Sequence, residues 1–159
     1  MSEFKQPDLP ALGVVKDLSE EDRKQLSAFG KWVDADPGTI IIQEGDVQSS
    51  LFLVVSGMLH VETSTTGRAI FLGKLKAGDA IGEINIFDPG TASATVIAKE
   101  YSYLWSISRD TLMTFLTSHP DATAKLVIAI ATQLSRRLRT TNEKVAIAQE
   151  AMTGSWGSR

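Results

Sequence analysis

The sequence contains no cysteine. That removes disulfide frameworks, thiolate nucleophiles and cysteine-ligated zinc together, and nothing in the chain demands an oxidising compartment. Histidine is almost as scarce. His60 and His119 are the only two, they fall in different element types, and neither has a neighbour at ligand spacing. The metal sites that cupin-type β-barrels use for dioxygenase or isomerase chemistry need clustered histidines with a carboxylate, so that enzymatic reading has no residues to work with. We expect no metal, no resident cofactor and no enzyme. A basic excess is lacking too: 16 Lys and Arg stand against 19 Asp and Glu, a net charge of −3. Affinity for nucleic acid comes largely from a basic surface that releases counterions, so a DNA or RNA binder is disfavoured. No stretch is apolar enough to span a bilayer. The opening residues, with Pro7, Asp8 and Pro10, lack the apolar run of a signal peptide. The expected location is the cytoplasm.

What the 159 residues do contain is 43% hydrophobic residues, enough for one domain with its own core plus a helical appendage. Residues 1–17 read as a flexible, polar lead-in. Ser19 followed by Asp22 resembles a helix-capping signal, and Leu18, Leu26 and Phe29 can share an apolar side, so Ser19 to Gly30 is expected to be helical. From Trp32 to Ser108 the pattern changes to short runs of Ile, Val, Phe and Leu. These are cut by Pro37-Gly38, Gly45-Asp46, Ser56-Gly57, Thr66-Gly67, Gly78-Asp79 and Pro89-Gly90. Evenly spaced strands and turns predict a closed or sandwiched antiparallel β structure, with Phe52, Phe71 and Phe87 in its core.

From Asp110 the chain turns helical, first to Thr117 and then from Pro120 to about Met152. Pro120 suits a first helical turn, where its missing N–H would have had no partner anyway. Val127, Leu134, Thr141 and Ala148 recur every seven residues, and Ala131, Leu138, Val145 and Met152 form a second series offset by four. Together they make an a/d seam that calls for a partner helix and predicts a homodimer. Arg136, Arg137 and Arg139 read as solvated residues off that seam. Residues 153–159, with Trp156, read as a flexible tail.

Taken in order, Pro37-Gly38, Ile40-Ile41-Ile42, Glu44-Gly45-Asp46, Leu51 to Gly57, Gly78-Asp79, Gly82-Glu83 and Ala94-Thr95-Val96 resemble the cyclic nucleotide-binding domain. The resemblance implies a mainly β fold with flanking helices, a double-stranded β-helix (jelly-roll) barrel over 18–119. It also implies a long dimerisation helix over 120–152, because Gln133 to Val145 is similar to that helix in the catabolite-activator group. By position it assigns Glu83 to the ribose 2′-hydroxyl, and the backbone of Gly82, Ile84, Asn85 and Ile86 to the cyclic phosphate at a helix N-terminus. Thr141 and Asn142 are assigned to the base.

One site position departs from the family. Where cAMP receptors carry a phosphate-binding arginine, this chain has Ala92, followed by Ser93. The ribose half of the site is present and the phosphate half lacks its cation. No helix-turn-helix segment follows Met152, so direct operator binding is not expected. The reading is therefore a dimeric sensor of a ribose-containing nucleotide, cAMP- or cGMP-like and weakly bound, that signals to a protein partner. The competing reading is a ligand-free domain that acts as a dimeric scaffold.

Overall fold

The computed structural model describes residues 5–154. Its elements run α1 (Glu20–Phe29), β1 (Lys31–Ala35), β2 (Ile40–Ile42), β3 (Val47–Gln48), β4 (Ser50–Ser56), β5 (Met58–Thr65), β6 (Arg68–Lys76), β7 (Ala80–Ile81), α2 (Glu83–Phe87), β8 (Gly90–Thr91), β9 (Thr95–Ala98), β10 (Ser102–Ser108), α3 (Arg109–Ser118) and α4 (Pro120–Gly154). The strands form two four-stranded sheets, ordered β1-β10-β4-β7 and β2-β9-β5-β6, with β3 and β8 as a small third pair. All pairings are antiparallel. This is the expected jelly roll.

Alternation along the strands builds two cores. On β4, Leu51 and Leu53 enter one apolar cluster while Phe52 and Val54 enter the other. On β10, Trp105 and Ile107 likewise join the first and Leu104 the second. The sheet is therefore buried on both faces, which explains why these strands read as continuous apolar runs. The second cluster, with Leu59, Leu75, Ile81 and Val96, fills the roll. The first seals the outer face of the sheet against the helices, through Leu26 of α1, Leu112 and Phe115 of α3, and Ala122, Leu126 and Ile130 of α4.

Capping proceeds as the sequence predicts for α1, whose first turn donates the Asp22 N–H to Ser19 Oγ at 3.1 Å. Ser108 caps α3 in the same way, accepting from the Thr111 N–H at 3.3 Å.

From Leu9 onward the lead-in expected to be flexible is instead a packed strap. Leu9, Val14, Val15 and Leu18 are buried in the first cluster. Arg23 donates to the Leu9 and Leu18 carbonyls at 3.1 and 2.6 Å, and Ser27 Oγ donates to Pro7 O at 2.7 Å. A single 3-10 turn, Gly13–Val15, lies against α4 and the turn at Gly78. Only glycine fits there: a Cβ on Gly13 would stand 1.9 Å from Gly78 O.

Two of the three predicted core phenylalanines are also corrected. Phe52 packs on the second cluster, but Phe71 and Phe87 are 53% and 46% exposed. β6 is the edge strand of its sheet and β5 pairs with β9 only from Leu59 to Glu62; Phe71, opposite Glu62, stands at the end of that pairing, and Ile70, opposite Thr63, stands beyond it.

α4 spans 35 residues, roughly 52 Å at 1.5 Å per residue. It runs two residues past the predicted end at Met152; the rest of the predicted tail, with Trp156, lies outside the described residues. Every residue from 139 to 151 is exposed. An isolated helix of that length is marginal in water, since most helical stability in proteins comes from packing.

Candidate functional site

The predicted ligand residues converge on one cavity of about 1070 Å³, open on one side, between the roll and α4. Gly82, Glu83, Ile84 and Asn85 line it from the start of α2, Ala92 and Ser93 from the turn before β9, and Thr141 from α4. Asn142 does not line it within a single chain. It lies one step further round the helix and is exposed. The Ile86 N–H, predicted as a phosphate donor, is bonded to Gly82 O at 3.3 Å instead. The remaining candidate donors are the amides of Glu83, Ile84 and Asn85, which by position have no partner within their own helix.

Gly82 makes this turn possible. Its φ is +84°, and a Cβ there would lie 2.2 Å from Ser50 O and 2.7 Å from Gln48 Nε2. We expect Gly82→Ala to cost at least about 2 kcal/mol from left-handed strain and clash. A calorimetric melt should then fall by roughly 5 °C or more. An unchanged melting temperature would contradict this geometry. At the other end of α2, Arg109 Nε donates to Ile86 O at 2.9 Å, placing a cation at the negative end of the short helix.

Glu83 is 2% exposed although it carries a carboxylate. Its partner is Arg137 of α4, whose Nη1 donates to Glu83 Oε1 at 2.7 Å while Nη2 donates to Ala80 O at 2.7 Å. The solvated reading of Arg137 is thus corrected. One turn earlier, Gln133 covers the open edge of β7: its Oε1 accepts the Ala80 N–H at 3.0 Å and its Nε2 donates to Ala80 O at 3.2 Å. A side-chain amide here does what a fifth strand would do, since edge N–H and C=O groups need partners. Gln133 and Arg137, four residues apart, fasten α4 to the site. The sequence carried that signal in helical phase, because both continue the stripe of Ala122, Leu126 and Ile130. Arg136, by contrast, is exposed on the rim, and Arg139 is exposed.

Other candidates have structural roles. Glu44 accepts from Thr63 Oγ1 and the Ser64 N–H, both at 2.8 Å. Thr95 Oγ1 accepts from the Glu44 N–H at 3.0 Å, so it braces a turn. His60 packs edge-on against Phe71, and His119 stacks on Phe115 with its Nε2 2.5 Å from Gln25 Oε1. The expected seam is split. Val127, Leu138 and Val145 are 38%, 61% and 55% exposed, and Ala131, Thr141 and Ala148 are also exposed. Leu134 is half-buried against the core of its own chain.

Comparison with known proteins agrees with this geometry. The family model of the cyclic nucleotide-binding domain matches residues 32–119. A CRP-like cAMP-activated global transcriptional regulator of Mycobacterium tuberculosis is 32% identical over 117 residues, which is 72% of this chain and 50% of that protein. Among solved structures, the N-terminal domain of a transcriptional regulator from Streptomyces coelicolor A3(2) is 28% identical with a TM-score of 0.68, covering 83% of this chain and 90% of that one. A cyclic nucleotide-binding domain from Methylobacillus flagellatus KT is 25% identical with a TM-score of 0.79, covering 85% and 79%. The chain spans about half the length of the curated transcriptional regulators it matches. The family model spans more than half of the chain, and this chain belongs to the cyclic nucleotide-binding domain family.

Proposed function

We propose that the chain is a dimeric sensor, binding a ribose-containing cyclic nucleotide of the cAMP or cGMP class weakly in the cavity beside Glu83 and passing the event through α4 to a protein partner. The observation that carries this reading is the buried Glu83 carboxylate, set where α2, β7 and α4 meet and facing the cavity. A carboxylate kept there is suited to accept from a ribose hydroxyl, and its tie to Arg137 links any change at the ligand to the helix. The curated relatives described as cAMP-activated regulators point to the same ligand class. The reading assigns no chemical step to the chain, requires no metal or resident cofactor, and places it in the cytoplasm without direct contact to DNA.

A switch of this kind needs different affinities for two seats of α4, since a ligand that binds both equally shifts nothing. The dimer reading is supported by the exposed seam residues Val127, Leu138 and Val145 and by the helical extension over 139–151, whose residues are all exposed. Calorimetric titration with cAMP and cGMP tests the proposal, with saturable binding at micromolar or weaker affinity expected. A second reading, a ligand-free scaffold, is favoured by one observation: Glu83 is already paired and Ala92 offers no cation. Absence of any heat with either nucleotide up to millimolar concentration would select it.

A further inference from the structure

The cavity is cationic although the chain is acidic. Lys16, Lys74, Lys125, Arg136, Arg137 and Lys144 line it against the carboxylates of Asp17, Asp79 and Glu83, a lining charge of plus three in a chain of net −3. The distribution is one-sided. Four of those six cations stand on α4, while the turn before β9 contributes only Ala92, Ser93 and Ala94. The wall that lacks charge therefore faces a wall rich in it.

We propose that Arg137 binds the anionic group of the ligand, so that the phosphate is read from α4 in place of the cation missing at Ala92. The proposal rests on the cavity being a nucleotide site and identifies which residue supplies its charge. Arg137 is suited to this for three reasons. Its side chain is 34% exposed and lines the cavity, so an anion can reach it. A guanidinium has five N–H donors, and the bonds to Glu83 and Ala80 engage two, leaving donors in a planar fork that matches phosphate oxygens. Its position is fixed by those same two bonds, so little freedom remains to be lost on binding. Arg136 and Lys144, one step and two turns along α4, offset the repulsion that Glu83 would exert on an incoming phosphate. Lys125 stands further along the same helix and also lines the cavity. A ligand held this way would join the ribose side of the roll directly to the dimer helix.

The test compares cAMP with adenosine, which keeps base and ribose and lacks the phosphate, by calorimetry on the full chain. In Arg137→Gln, cAMP affinity should fall by about tenfold or more, the loss of a charge-assisted pair, while adenosine affinity changes by less than about threefold. Adding Ala92→Arg to Arg137→Gln should restore cAMP binding, because a guanidinium then faces the same anion from the opposite wall. An equal fall for both ligands would show that Arg137 acts only by positioning Glu83, and no fall would show that it does not touch the ligand. Either result overturns the proposal while leaving the nucleotide site standing. Should Arg137→Gln fail to fold, the Arg137 side-chain Nε–H signal in NMR spectra of the unmodified protein decides: it should move on titration with cAMP and stay with adenosine, and the reverse overturns the assignment. If neither the unmodified chain nor Ala92→Arg binds either ligand, the site reading fails, and this inference with it.

Discussion

Leu138→Asp is expected to convert a dimer into a folded monomer in sedimentation velocity at micromolar concentration. Leu138 is 61% exposed in the single chain, and no part of its own roll packs on it, so the substitution leaves the domain core untouched. In a two-fold interface it occurs twice. Each carboxylate loses its water without gaining a partner, at about 3 kcal/mol or more. The two together weaken association by about four orders of magnitude. Circular dichroism of the roll should be unchanged, with some loss of helix signal from the exposed end of α4. Leu134→Asp is a poorer test, because Leu134 also packs on the first core cluster and its replacement would destabilise the domain itself. Unmodified protein that sediments as a monomer would contradict the seam.

Ala92→Arg should raise affinity for cAMP by about tenfold to over a hundredfold, the worth of roughly 1.5 to 3 kcal/mol for a hydrogen-bonded charge pair. Ala92 is buried in the second core cluster and also lines the cavity beside Ser93. Its backbone is held from both sides: its N–H donates to Asp46 O at 2.8 Å, and its carbonyl accepts from the Gly45 N–H at 2.9 Å. The turn is thus fixed before any ligand arrives, and a longer side chain has to leave the second core cluster through the cavity that Ala92 lines. With alanine there, a cyclic phosphate loses part of its hydration without a cation on the roll side. The unmodified protein should therefore bind weakly. Nanomolar affinity in the unmodified protein, or no gain in the variant, would mean that the phosphate lies elsewhere in the cavity.

Features encoded locally were legible in the sequence. Turn pairs such as Gly45-Asp46 and Gly78-Asp79 mark strand ends, Ser19 marks a helix start, and Pro120 opens α4, because each acts through its own backbone or its next few neighbours. The Gly82-Glu83 turn was legible only through the family resemblance, as one motif in an ordered series. What required the fold was pairing between distant segments. The strap from Leu9 to Leu18 has no helical or strand period, so nothing in its own residues distinguishes a packed segment from a loose one. Its order comes from Arg23, Ser27 and α4. Phe71 follows the same apolar pattern as Phe52, yet it sits on edge strand β6 opposite Glu62, the last β5 residue paired with β9. Arg137 differs from Arg136 only by the 100° that separates neighbours on a helix. That rotation decides which of the two meets Glu83.

A cyclic nucleotide bound in the cavity formed by the Gly82-Glu83 turn, the Ser93 turn and α4 has to perturb the residues that line it. Backbone-amide NMR of the isotope-labelled protein under titration with cAMP tests this most directly. Saturable shifts concentrated at Glu83, Ile84, Asn85, Ser93 and Thr141, with micromolar or weaker affinity, are expected. Saturable binding that leaves these amides unmoved, or a spectrum unchanged at millimolar cAMP, would contradict a nucleotide in this cavity.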